Sequence, residues 1–109
     1  MRNFNLLKKR IRKNEGFCIT PYFDSLGFAT IGYGHLIKKN EKNFFSKKYS
    51  KENLNKIFEV DFSIAVNLYN KEYTIKKHNK EIKEIYIEMI FQLGIKGQKK
   101  FTKMHAYID

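Results

Sequence analysis

Glu15 and Asp24 are the first two carboxylates of the chain. They stand nine positions apart in the aromatic segment Asn14 to His35, NEGFCITPYFDSLGFATIGYGH, within an otherwise lysine-rich chain. Two carboxyl groups that act together do so by differing. One is kept protonated to donate a proton; the other stays ionised to activate water or stabilise positive charge. Cleavage of a glycosidic bond usually uses such a pair, one group on each side of the scissile bond. Glu15 suits the proton donor, because it falls where a helix is expected to end and the negative end of the helix dipole disfavours a further negative charge. Packing against Phe17 or Tyr33 would act in the same direction by desolvation. Asp24 falls in an expected exposed turn, which suits the ionised partner. Both residues also have ordinary readings: a solvated helix-end charge, and a turn residue bonded to its own backbone.

These side chains need elements to hold them. Phe4, Leu7 and Ile11 recur at helical spacing, which predicts a helix from about Asn3 to Asn14. Gly16 lies just past its end, where a left-handed residue is common. Pro21 argues against continued helix, and Asp24-Ser25-Leu26-Gly27 reads as a turn. Phe28 to Tyr33 is rich in aromatic and β-branched residues, as strands are. Phe17 to His35 is therefore expected to form a small hairpin or meander, with Gly32 and Gly34 marking a bend or a close backbone approach. Lys38 to Tyr49 reads as a loop or a poorly formed helical turn, anchored by Phe44 and Phe45.

Ser50 can cap the next helix, whose stripe of Leu54, Ile57, Phe58, Ala65 and Leu68 ends near Asn70. A charged connector, Lys71 to Lys80, leads to a second stripe of Ile82, Ile85, Tyr86, Met89, Ile90 and Leu93. Ile87 and Phe91 lie off that stripe, so this helix is apolar on most sides. Gly94 and Gly97 are expected to end it, and Phe101 to Asp109 to begin another.

A chain of 109 residues suits one domain. Its 42% hydrophobic content excludes general disorder. The net charge of +11 favours anionic partners: nucleic acid, anionic membrane or wall polymers. Lysine together with abundant Asn and Ile is also what AT-rich coding produces. Cys18 is the only cysteine, which excludes a disulfide scaffold and reads as a small buried hydrophobe. Lys8, Lys9 and Arg10 interrupt any secretory apolar region after Leu7.

The run Glu15-Gly16, Tyr22-x-Asp24-x-x-Gly27 and Thr30-Ile31-Gly32-Tyr33-Gly34-His35 closely resembles the active-site segment of the phage-type lysozymes, the muramidases related to the T4 phage enzyme. Order and spacing both agree. Met89-Ile90-Phe91-Gln92-Leu93-Gly94 is similar to that family's central-helix motif, and Phe101-Thr102 to the start of the helix beyond it. The resemblance implies an α+β, lysozyme-like fold in a single domain over residues 1–109. Residues from about 1 to 60 would form the catalytic lobe and the start of a linking helix, and about 61 to 109 an incomplete helical lobe.

The resemblance also implies hydrolysis of the β-1,4 bond between N-acetylmuramic acid and N-acetylglucosamine in peptidoglycan, with inversion and without cofactor or metal. It makes Glu15 the general acid, Asp24 the second carboxylate and Thr30 the holder of the attacking water, with the carboxyls about 6.5–9.5 Å apart. Leu36, Phe91 and Gln92 match cleft positions along the sugar chain. His35 is expected to pair with Asp61, and Gly32 and Gly34 to let glycan approach closely. His78 and His105 are expected to be solvated. The partners implied are glycan strands, with no nucleic acid and no stable membrane association. An endolysin of this kind waits in the host cytoplasm until lysis; a virion-borne role is the other phage setting.

Family members continue with further helices. Within the matched part, Glu88 replaces a usual asparagine, Met104 a small polar residue, and Lys99 and Lys100 a less charged approach. The segment from His35 to Ser50 is also short. The helix around Met89 is therefore expected to expose large apolar side chains. Burying each fully contributes about 1.5–3 kcal/mol, against a whole-domain margin of about 5–15 kcal/mol. The chain reads as a fragment or a copy awaiting a partner segment, prone to self-association through its helical lobe. Two other classes stay open. One is a truncated, inactive lysozyme-derived glycan-binding module, whose binding Glu15→Gln would leave unchanged. The other is a basic nucleic-acid binder, although the aromatics do not alternate with basic residues as a stacking face would.

Overall fold

Leu7 and Ile11, one helical turn apart, are both buried and define the inner face of α1 (Asn5–Glu15). The helix stops because Gly16 takes φ 73° and ψ −177°, a region essentially confined to glycine. The positive φ matches the expectation. The extended ψ does not form the usual left-handed cap, and it sends the chain directly into a strand. The computed structural model describes residues 4–74 and 78–105, with side chains as far as residue 94.

Strands β1 (Cys18–Phe23), β2 (Ala29–Gly32) and β3 (His35–Leu36) form an antiparallel sheet in the order β1-β2-β3. Pro21 fits because β1 is an edge strand with an irregular register. Between the pairs Cys18↔Gly32 and Tyr22↔Thr30, β1 advances four residues while β2 advances two. Residues paired across strands share a face. Cys18, Tyr22, Thr30 and Leu36 therefore lie on one face, and Ile31 and His35 on the other. The second face packs inward, where Ile31 joins Phe44 and Leu54 in a buried cluster.

The connector is more ordered than its composition suggests. It holds a 3-10 turn (Lys39–Glu41) and a one-turn helix, α2 (Asn43–Ser46). Phe44 is buried but Phe45 is 55% exposed, so only one of the two expected anchors is used.

Helix α3 (Lys51–Glu72) begins at a reciprocal cap. The Asn53 N–H donates to Ser50 Oγ at 3.1 Å, and the Ser50 hydroxyl donates to Asn53 Oδ1 at 2.8 Å. Its buried positions are Leu54, Phe58, Phe62, Ala65 and Tyr69. Ile57 and Leu68, expected on that stripe, flank it and are part-buried. Glu59 ties α3 to α1, accepting from Lys8 Nζ at 2.7 Å and Arg12 Nη2 at 2.9 Å. Burial opposes ionisation of Glu59, but the two cations outweigh it and hold its carboxyl below the usual 4.5.

Helix α4 (Lys80–His105) breaks at Gly94, where φ is 75° and ψ 169°. Gly97 lies within helix and does not end it; no new helix begins at Phe101, because residues 95–105 form one helical run after the break, and residues 106–109 lie outside the described residues. Ile87, expected off the apolar stripe, is fully buried together with Ile90, while Ile85 and Leu93 are 51% and 54% exposed. On a helix apolar on most sides, periodicity does not select the buried face; packing does. The side chains of Lys99, Lys100, Met104 and His105 lie outside the described residues.

His78 is not solvated. Its Nδ1 is hydrogen-bonded to the Tyr69 hydroxyl at 2.6 Å, and its ring lies 5.1 Å from Tyr73 and 4.9 Å from Tyr86. The fold is α+β, and the chain divides into two compact units, Met1–Asp61 and Phe62–Asp109, with the boundary inside α3.

Candidate active site

Glu15 is the last residue of α1 and is part-buried. Its seat is made by a missing side chain. Gly34 has φ 79°, and a Cβ there would collide with Glu15 Oε2 and stand 3.0 Å from the carboxyl carbon. A Cβ at Gly32 would meet Leu54 at 3.4 Å. Gly34 thus makes room for Glu15, whereas at Gly32 the positive φ of 67° is the stronger reason for glycine. Between them, the Tyr33 ring lies 4.9 Å from Phe17 and 5.5 Å, edge-on, from Phe58. The Arg12 guanidinium lies 4.4 Å from the Phe58 ring centre and 5.8 Å from that of Tyr33. The loop that seats Glu15 is therefore backed by stacked rings and a cation.

Asp24 is fixed by its own turn. Its Oδ1 accepts the N–H groups of Leu26 at 2.9 Å and Phe28 at 2.8 Å. The Asp24 N–H donates to the Phe28 carbonyl, and Gly27 N–H to the Asp24 carbonyl, both at 2.9 Å. Oδ2 makes no hydrogen bond among the described residues. The turn reading and the chemical reading of Asp24 are thus compatible: one oxygen anchors and the other is available.

Thr30 faces Tyr22 across the sheet and is only 2% exposed. Its hydroxyl donates to the Phe28 carbonyl at 2.9 Å, so its remaining capacity is to accept. Tyr22 links the two acids electrostatically. Burial first, then the nearby Cys18, Glu15 and Asp24 groups, push its phenol above the ordinary 10.0. Cys18 itself is exposed, contrary to expectation, because the irregular edge strand does not turn it into the core. Leu36 is exposed on the same sheet face as Thr30. Phe91, part-buried, and Gln92, exposed, sit on α4 in the second unit.

His35 is held on both sides. Nδ1 lies 2.7 Å from Asp61 Oδ2, and Nε2 lies 3.2 Å from both Glu41 carboxylate oxygens. The Glu41 contact was missed in the sequence. The available signal was the spacing Lys38-x-x-Glu41, since Glu41 Oε1 also accepts the Lys38 N–H at 2.9 Å. Burial disfavours the imidazolium, but the hydrogen bond and charge of Asp61, with those of Glu41, outweigh it and raise the pKa above 6.5. A raised pKa in the folded state contributes stability that is full below about pH 6.5 and is lost as pH rises through the folded value. Thermal melts of the wild type are expected to fall across that window. Those of His35→Gln should be flatter there; parallel curves for the two proteins would contradict this role.

Residues 12–107 match the phage lysozyme family, and the chain belongs to it. It is 31% identical over 126 residues to a protein named probable T4-type lysozyme 2 of Dictyostelium discoideum, covering 94% of this chain and 74% of that one. It is 27% identical over 120 residues to the pre-baseplate central spike protein Gp5 of Enterobacteria phage T4, covering 90% of this chain and 21% of that one. The chain thus spans about a fifth of the spike protein's length.

Proposed function

We propose that the chain is an inverting muramidase, cleaving the β-1,4 bond between N-acetylmuramic acid and N-acetylglucosamine in peptidoglycan. The observation that carries the reading is two carboxyls in unlike settings: Glu15, part-buried at the end of α1 against Gly34, and Asp24, held in a hairpin turn through Oδ1. Membership of the phage lysozyme family supports the glycosidase class. Glu15 protonates the leaving oxygen. Asp24, anchored through Oδ1, uses Oδ2 to take a proton from water and to stabilise the positive charge that develops on the sugar. Thr30 accepts a hydrogen bond from that water. Leu36, exposed on the sheet face of Thr30, contacts the glycan, and no cofactor takes part. The charge of +11 draws the protein to an anionic wall. It acts from the host cytoplasm at lysis.

The stereochemistry tests this. Water attacking the face opposite the leaving group turns a β bond into an α product. Proton NMR of fresh digests should show the α anomer first, with the β anomer appearing only by mutarotation. Asp24→Asn should lose about 100- to 10,000-fold in rate while its amide oxygen still accepts from Leu26 and Phe28. A β product formed first would contradict the mechanism.

A further inference from the structure

Tyr22 has no structural employment that accounts for its position. The other tyrosines with recorded partners show what such employment looks like: Tyr33 is sandwiched by rings, and Tyr69 bonds His78. The Tyr22 hydroxyl makes no hydrogen bond among the described residues, and its ring stacks on no other described ring. Yet the strand irregularity between Cys18 and Tyr22 ends at this residue, aligning it with Thr30 and with the sheet face that carries Leu36. Such irregularities re-aim side chains beside functional sites.

The chemistry of the surroundings narrows the ligand. The carboxylate of Asp24 repels an anion, which disfavours phosphate or carboxylate groups at this spot. Asp24, acting as a carboxylate, only accepts hydrogen bonds, and the one proton of Glu15 is committed to the leaving oxygen, so the pair recognises a sugar's hydroxyl hydrogens but leaves its other oxygens without a donor. The Tyr22 phenol, already O–H at neutral pH and pushed further above its ordinary 10.0 by burial first and then by its neighbours, supplies that donor. A neutral polyol with acetamido groups has both kinds of partner to offer.

We propose that the Tyr22 hydroxyl is a glycan-binding group, donating a hydrogen bond to a hydroxyl or acetamido oxygen of the strand bound between Glu15 and Asp24. The assignment rests on the muramidase reading above. It names a residue that touches substrate and takes no part in proton transfer.

The test uses a soluble peptidoglycan tetrasaccharide carrying its stem peptides. Calorimetric titration compares Glu15→Gln, which cannot turn the probe over, with the double variant Glu15→Gln/Tyr22→Phe. One neutral hydrogen bond corresponds to an expected three- to tenfold weaker Kd, roughly, at an unchanged melting temperature. In the wild-type background, Tyr22→Phe should raise KM by the same factor and leave kcat alone, because the bond is made equally in the ground and transition states. Equal affinity of the two proteins overturns the inference and leaves the muramidase reading standing. A lowered melting temperature at equal affinity, or a loss of kcat at unchanged KM, overturns it as well. If the Glu15→Gln parent does not bind the probe at all, the muramidase reading falls and this inference falls with it.

Discussion

Gly34→Ala is expected to lower glycan hydrolysis by about a hundredfold, the scale at which misplacing a reacting group by about 1 Å is felt. Two effects combine. A non-glycine residue at φ 79° is strained by about 1–3 kcal/mol. The added methyl group also occupies the space of Glu15 Oε2, so the carboxyl must swing away. The second effect is the larger for activity, because a flexible side chain moves at little cost in stability but loses its aim. Gly94→Ala separates the two. Its φ is 75° and a Cβ there meets nothing within 4 Å, so it should show the strain without the displacement. Comparable melting temperatures with a large difference in rate are the expected pair of results. Equal rates would remove Gly34 from the account of the site.

Phe58→Ala should have the largest effect on stability. Phe58 is almost fully buried, carries the Arg12 guanidinium on one ring face and meets Tyr33 edge-on. Truncating a buried phenylalanine costs about 3–5 kcal/mol, out of a margin of about 5–15 kcal/mol. The melting temperature should fall by more than about 10 °C. Phe45→Ala, at an exposed ring, should change stability by no more than about 0.5 kcal/mol. Activity should fall with Phe58→Ala even well below its melting temperature, since the loop seating Glu15 loses its backing. Calorimetry on the two variants checks the stability contrast, and a rate measurement at low temperature checks the loop.

Much of the first unit was legible because local chemistry dictates it. Gly16, Pro21 and Gly27 punctuate the chain where helix must stop and strands must turn. Asp24 announces its own turn, and Ser50 its own cap. The pairing of His35 with Asp61 was also readable, through the family pattern. What escaped was set by tertiary packing. Glu41 reaches His35 only because a 3-10 turn forms in a segment that reads as loop. His78 looks solvated between lysines, yet it is packed against Tyr69 of α3, Tyr73 just beyond that helix and Tyr86 of α4. Ile87 and Ile85 are chemically identical and two positions apart, so nothing in the pattern of α4 tells which faces inward. The neighbour of Gly34 is another such case: a glycine announces a close approach but not which atom comes close.

The most direct test of the central claim is release of reducing ends from purified peptidoglycan by the wild type and by Glu15→Gln, with both shown to be folded by their melting curves. A muramidase that works through Glu15 gives steady release as wild type and loses at least about a hundredfold in the variant. Equal release by the two proteins, or none from a folded wild type, would contradict it.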